Sequence, residues 1–175
     1  EGNLSAVNLI DSNHTFLNRR LARHYRIPGI QGQQMRKVRL AAGNLRGGIL
    51  GQASIHKITA NGTFTSPVKR GAFVLTRLLG AAPEAPPPDV GSIEPDTRGT
   101  TTIRETLAKH RNVETCAQCH RSIDPPGFAL ETFDPIGGVR RRYRVGGETG
   151  RRYRQGPMVD ASGKTLVSRE QLAAA

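Results

Sequence analysis

The sequence predicts a mainly α-helical, loop-rich domain with a small β-hairpin near its C-terminus. Three observations lead to this prediction. Apolar residues recur with helical periodicity in three segments, 12–25, 66–80 and 101–112. The chain contains 20 glycines and 11 prolines, and only 36% of its residues are hydrophobic, so loops and a modest core are expected. Two RRYR segments flank the stretch VGGETG, which is typical of a hairpin with a glycine turn.

The first half of the chain contains three short elements. The helix over 12–25 would begin at Ser12 or Asn13 and end before Pro28. The segment MRKVRL at 35–40 alternates apolar and basic side chains, which predicts a short strand. The glycine-bounded stretch 47–63 predicts another short helix. The apolar face of the first helix consists of Phe16, Leu17, Leu21 and Tyr25.

The clearest helix covers 66–80, with Pro67 in its first turn and Gly80 at its end. The proline-rich stretch 81–99 then predicts an extended connector, because proline disfavours regular helix and central strand. The helix over 101–112 leads directly into the two cysteines. The residues expected to be buried in the helix over 66–80 are Phe73, Leu75, Leu78 and Leu79.

The charge of the chain is strongly positive, with 26 Lys plus Arg against 14 Asp plus Glu and a net charge of +12. Such a charge favours acidic partners. Seven arginines and one glutamate lie in 140–154, where they could form a solvated cationic face, neutralise an anionic group or dock an acidic protein. No apolar run reaches eighteen residues, so no membrane span is expected.

The motif C-x-x-C-H holds both cysteines of the chain, Cys116 and Cys119, followed by His120. This spacing is the attachment pattern of c-type haem. Two cysteines three residues apart lie on one side of a helix and can form thioethers with the two vinyl groups, while the next imidazole can bind the iron. We therefore expect one covalent haem c, with His120 as the proximal iron ligand.

Two other chemistries remain open for the same residues. A zinc site would take Cys116 and Cys119 with further histidines, although the side chain of His120 projects about 100° from that of Cys119 around a helix. A redox disulfide would be expected at a helix N-terminus within a βαβ pattern, which the sequence does not show. Either alternative would make the chain a non-haem binding module.

Long stretches of the sequence resemble a family of secreted, multidomain planctomycete proteins of unknown function that contain a cytochrome c-like domain. The resemblance is strongest in TANGTFTSPVKRGAFVLTRLLGAAPEAPPPDV, in TTIRETLAKHRNVETCAQCHRSIDPPGFALETFDPIGGVR and in VDASG. It implies an exported protein, periplasmic or extracellular, with covalent haem at Cys116 and Cys119 and with His120 as proximal ligand. It implies no particular reaction.

The resulting prediction is a cytochrome c-like haem module that transfers electrons outside the cytoplasm. Four segments are expected: 1–80, the tail of a preceding domain and the start of the module; 81–99, the connector; 100–145, the haem-binding segment; and 146–175, the basic hairpin and the start of a following domain. The partner would be a redox protein or an adjoining domain of the same longer chain, with acidic polysaccharide as a further candidate. Nucleic acid is not expected, because haem is attached outside the cytoplasm.

The sixth iron ligand distinguishes two functions. A protein ligand at that position favours electron transfer, whereas an open position favours a haem enzyme, either a peroxidase-like one or an oxidative, carbohydrate-active one. Met158 lies within a plausible loop length of His120, although its simpler interpretation is a hairpin core residue. His24 and His110 match motifs of the resembling family and are the other two candidates. His14 and His56 are interpreted as surface or loop residues.

Three carboxylates follow the cysteine motif and could suggest glycoside hydrolysis. The simpler interpretation is structural. Asp124 precedes Pro125-Pro126-Gly127 and is expected in a turn, whereas Glu131 and Asp134 are expected to bond backbone or arginines. No catalytic residue is assigned. The same stretch is expected to form a loop and a short helix that pack Phe128, Leu130 and Phe133 against the haem.

Overall fold

A computed structural model describes residues 5–85, Ile103, Leu107, 114–146 and 153–161. The described residues form two compact units. Unit 1 comprises 5–65 and 133–139, and unit 2 comprises the other described residues. The predicted connector beyond residue 85, the predicted helix over 101–112 apart from Ile103 and Leu107, the hairpin turn and the segment from 162 onwards lie outside the described residues.

Unit 1 begins with a short 3₁₀ helix, Ala6–Leu9, and a two-stranded antiparallel sheet. Strand β1, His14–Leu17, pairs with strand β2, Arg36–Arg39, and His14 lies opposite Arg39. The prediction of a strand within 35–40 is confirmed. Because Thr15 and Leu17 point into the core and Phe16 stays 51% exposed, this stretch follows the twofold periodicity of a strand.

Helix α1 covers Arg19–Tyr25, so the predicted helix over 12–25 is wrong in its first half. The helix begins at Asn18 rather than at Ser12 or Asn13, because the Asn18 side chain accepts a hydrogen bond from the Leu21 N–H at 3.0 Å. It ends at Arg26, which adopts a left-handed conformation with φ of 58°. The core that forms around this turn contains Leu17, Ala22 and Tyr25.

A 3₁₀ helix, Ile49–Gly51, and helix α2, Ala53–Ile58, complete unit 1 and confirm the short helix predicted within 47–63. The interpretation of His56 as a surface or loop residue is wrong, because its side chain is fully buried. Its Nε2 lies 2.9 Å from the Leu50 carbonyl oxygen, and its ring stacks on Phe133 at 4.1 Å between centroids. Burial with ring stacking makes His56 a core residue of unit 1.

Unit 2 begins with helix α3, Pro67–Arg77, which confirms the predicted helix and its first-turn proline. The Ser66 side chain caps it by accepting from the Lys69 N–H at 3.3 Å. The predicted buried face is wrong, because Leu79 is 45% exposed and the buried residues include Gly71 and Val74. Instead of its largest apolar residues, α3 buries the side where glycine allows a second helix to approach closely. The residues expected to be buried but found only half-buried are Phe73, Leu75 and Leu78.

Helix α4 covers Glu114–Ala129 and continues into a 3₁₀ turn, Leu130–Thr132. It packs against α3 with backbone in direct contact, because a Cβ atom at Gly71 would overlap the carbonyl oxygen of Ile123. On the opposite helix, a Cβ atom at Gly127 would overlap the carbonyl oxygen of Pro67. The loop expected around Pro125-Pro126 is therefore wrong, since the chain stays helical through both prolines.

A hydrophobic cluster in unit 2 forms around Phe128. Phe128 packs with Ile103 and Leu107, which are both helical, and the half-buried Val68 and Tyr143 lie against this cluster. Phe128 and Leu130 are buried as expected. Phe133 is also buried, but it belongs to unit 1 and stacks on His56.

The predicted hairpin is confirmed by strands β3, Arg142–Gly146, and β4, Tyr153–Met158, which pair antiparallel. Their register shifts between Arg142 and Arg144. In the part of the chain that the structure describes, four α-helices and two small sheets agree with a mainly α-helical fold. None of the helices described is long and apolar enough to cross a bilayer.

Candidate functional site

The first two turns of α4 carry the whole C-x-x-C-H motif. Cys116 and Cys119 are three positions apart along the helix and therefore lie on the same side of it. Both thiols are half-buried, and neither forms a disulfide. His120 is buried, with 9% of its surface exposed. Helix α4 thus holds two thiols and one imidazole within five consecutive residues.

The imidazole of His120 is held from within its own helix. Its Nδ1 lies 2.7 Å from Oδ1 of Asp124, one turn further along α4, and the Asp124 carboxylate is only 2% exposed. A carboxylate oxygen accepts hydrogen bonds, so Nδ1 donates to Asp124, and in the neutral imidazole Nε2 keeps its lone pair. The nitrogen that faces away from Asp124 is consequently the one able to bind a metal.

Sequence reasoning missed Asp124 as part of this site. The Asp-Pro-Pro-Gly stretch indicates a turn, and in a turn Asp124 would not face His120. Helix α4 instead continues to Ala129, and this continuity creates the i, i+4 spacing between His120 and Asp124. The signal that could have found the pair is the spacing His-x-x-x-Asp directly after a motif already expected on a helix.

The other two carboxylates have structural partners, as predicted. Glu131 is fully buried and binds Arg70 at 2.9 Å and Arg140 at 2.8 Å. In unit 1, Asp134 accepts hydrogen bonds from the backbone N–H groups of Ile136 at 3.0 Å and Gly138 at 2.7 Å. These contacts support the interpretation of Glu131 and Asp134 as residues that stabilise the fold.

The three candidate distal ligands have different surroundings. The Met158 side chain is 56% exposed, so its interpretation as a hairpin core residue is wrong. It lines an open pocket of about 310 Å³ together with Arg140 and Val159. His24 lies in unit 1, where its Nε2 is 2.8 Å from the Ile136 carbonyl oxygen. His110 lies outside the described residues.

A zinc site would need further ligands beside Cys116 and Cys119. Within residues 5–85, 114–146 and 153–161, together with Ile103 and Leu107, no group of three or more His, Cys, Asp or Glu side chains is arranged to hold a metal ion.

The match to a known family includes this site. The model of the family PSCyt3, a protein of unknown function (DUF1588), matches residues 46–143. The match covers more than half of the chain and extends from before α2 into β3. The chain belongs to the PSCyt3 family. No curated protein and no solved structure matches it.

Membership of PSCyt3 confirms the coarser part of the resemblance seen in the sequence. The family name denotes a cytochrome-like domain, and its function is unknown. The matched residues contain α3, α4 and the complete motif from Cys116 to His120. Export, the covalent haem and the identity of the iron ligands stay predictions for this PSCyt3 chain.

Proposed function

We propose that the chain is a c-type cytochrome module that carries one covalent haem and transfers single electrons to a partner outside the cytoplasm. The observation that supports this most directly is the arrangement on α4. Two free thiols lie one turn apart, and the adjacent His120 has its Nδ1 bound to Asp124, which leaves Nε2 for iron.

The donor set of this site fits haem c. Each thiol, Cys116 and Cys119, can add across one vinyl group: the S–C bond forms at one vinyl carbon, the thiol hydrogen ends on the other, and no electrons are lost. Nε2 of His120 would bind the iron on the proximal side. A bound haem supplies a one-electron Fe(III)/Fe(II) couple, and the residues of α4 hold it in place.

Of the three candidates, we propose Met158 as the distal ligand. An exposed methionine gives up few contacts when it binds iron. His24 would first have to release the Ile136 carbonyl oxygen, at a cost of about 1 kcal/mol. A thioether as sixth ligand raises the reduction potential and suits electron transfer, whereas an open position would suit a haem enzyme.

The decisive experiment is expression of the full chain in cells that attach c-type haem, followed by a pyridine haemochrome of the purified protein. We expect a c-type reduced spectrum that survives acid-acetone extraction. With Cys116→Ser or Cys119→Ser alone, the spectrum should shift towards that of a haem attached through a single thioether bond. The double variant should lose covalent haem. Thr76→Ala, on the exposed side of α3, is the control and should bind haem as the wild type does.

A colourless wild-type protein, from cells that attach haem to a known c-type cytochrome, would contradict the proposal. The oxidised near-infrared spectrum of the same sample tests the distal ligand. A methionine-to-iron charge-transfer band that Met158→Ala abolishes would support Met158. Carbon monoxide binding to the reduced wild type without denaturant would instead favour the haem enzyme.

A further inference from the structure

Helix α4 contains an arrangement that local sequence preferences oppose. Pro125 and Pro126 lie inside the helix, although proline lacks the N–H that an internal helical position donates. Asp124 immediately precedes Pro125, and a residue in that position usually leaves the helical region. Asp124 is nevertheless helical and 2% exposed. Segments that keep a conformation against their local preferences are characteristic of functional or strained sites.

The contact that this helical continuity creates is the one with His120. Asp124 Oδ1 lies 2.7 Å from Nδ1, and both side chains are shielded from water, with 11% of the His120 side chain and 2% of the Asp124 side chain exposed. In such surroundings a hydrogen bond to a carboxylate is stronger than one to a neutral oxygen. The negative charge therefore acts on the imidazole with little screening.

We propose that Asp124 is a positioning residue that fixes the tautomer of His120, makes its Nε2 a stronger electron donor and thereby lowers the reduction potential of the haem. This inference rests on the proposed function. A metal-bound histidine whose other nitrogen donates to a carboxylate is a more basic ligand, and a more basic ligand stabilises the higher charge of Fe(III) over Fe(II). The module would then give electrons readily to a one-electron acceptor of higher potential.

The test is a potentiometric titration of the haem-loaded wild type and of Asp124→Asn. Asparagine keeps the shape and an oxygen that can accept from Nδ1, but it carries no charge. At a fixed ambient potential we expect the ratio of reduced to oxidised protein to rise at least about tenfold in the variant, or 59 mV for a one-electron couple. Asp124→Glu retains the carboxylate and should stay close to the wild type.

The matched control is Asp11→Asn, which removes the same charge at an exposed position of unit 1. Its potential should equal that of the wild type. An unchanged potential in Asp124→Asn with full haem content would overturn this inference and leave the proposed function intact. A wild type without haem would instead overturn the proposed function and this inference with it.

Loss of haem in Asp124→Asn alone would overturn the inference, because the carboxylate would then be needed to retain the haem and not to set its potential. Loss of haem in both variants would assign Asp124 to the folding of α4 and would overturn it. Circular dichroism of each variant shows whether the helix has formed.

Discussion

Glu131 is the centre of a buried ion-pair network in unit 2. Its two carboxylate oxygens bind Arg70 and Arg140, and Arg70 NH1 also donates to the Leu130 carbonyl oxygen at 2.8 Å. Arg70 and Glu131 are fully buried. Removing one partner of such a group leaves the other as a charge without compensation in a medium that solvates it poorly. Glu131 therefore connects α3 to the segment that precedes β3.

Glu131→Gln should destabilise the protein by about 3 kcal/mol, because Arg70 loses the negative charge that offsets its burial. The measurement is urea unfolding followed by circular dichroism. Glu84→Gln, at an exposed position, is the control and should change the stability by less than about 0.5 kcal/mol. Equal midpoints for the two variants would show that the Glu131 carboxylate contributes little to the fold.

Arg46 in unit 1 shows a different way to bury a cation. Its guanidinium lies over the ring of Tyr25 at 3.9 Å and near the ring of Phe133 at 5.1 Å, and NH1 donates to the Gly51 carbonyl oxygen. Burial lowers the pKa of Arg46 below its ordinary value, while Tyr25 and Asp134 act in the opposite direction. Aromatic faces and a carbonyl thus replace a directly bound carboxylate.

At the scale of elements, α3 and α4 approach each other through glycines. Gly71 faces the Ile123 carbonyl oxygen, and Gly127 faces the Pro67 carbonyl oxygen. A glycine inside a helix usually costs about 1 kcal/mol relative to alanine, so its presence at both positions indicates a steric requirement. The close contact keeps the turn of α4 that carries Asp124 next to the first turns of α3.

Gly71→Ala should therefore destabilise the protein by about 2 kcal/mol, the opposite of the effect expected from helix propensity alone. The new methyl group would overlap backbone, which cannot move aside as a flexible side chain can. Thermal unfolding measures the change. Thr76→Ala, on the exposed side of the same helix, should leave stability unchanged or raise it slightly. A stabilised Gly71→Ala variant would show that the two helices separate at little cost.

Elements specified by local residues could be predicted from the sequence, and elements specified by packing could not. Ser66-Pro67 marks the start of α3, and the RRYR segments mark the hairpin, because caps and glycine turns act over a few residues. The first turn predicted for the helix over 12–25 instead became β1, since pairing with β2 outweighed the helical pattern.

The same distinction applies to the candidate site. The motif from Cys116 to His120 could be predicted from the sequence alone, because its chemistry depends on the spacing of neighbouring residues in one helix. The contact of His120 with Asp124 could not be predicted, because Pro125-Pro126 signals a turn, whereas the stretch is helical and packs closely against α3. Met158 is exposed and lies opposite Arg142, next to a shift in the register of the hairpin that no sequence pattern indicates.

At the scale of the whole molecule, positive charge is the dominant feature. The net charge is +12, and the segment 140–154 alone has seven arginines against one glutamate. Of these arginines, Arg141 and Arg142 are exposed. A field of one sign attracts oppositely charged partners and speeds their encounter, and salt screens it. We propose that this charge selects an acidic redox partner or an acidic adjoining domain.

The rate of electron transfer to small reagents tests this proposal on the haem-loaded protein. Oxidation of the reduced protein by anionic hexacyanoferrate(III) should slow about tenfold between low and high salt, because screening removes the attraction. Oxidation by a cationic cobalt(III) complex should become faster over the same range. Identical salt dependence for the two oxidants would show that the positive charge does not act at the site of electron exit.

Residues 133–139 belong to unit 1, although in the sequence they lie between the two segments of unit 2. Any contiguous fragment that spans unit 2 also carries Phe133, but without the His56 ring on which it stacks, and so presents a large aromatic side chain to water. The residues that flank segment 133–139 are adjacent within unit 2, since the Arg140 N–H donates to the Thr132 carbonyl oxygen at 2.8 Å. A minimal version of unit 2 should therefore be made by joining Thr132 to Arg140 through a short turn, and not by trimming the termini.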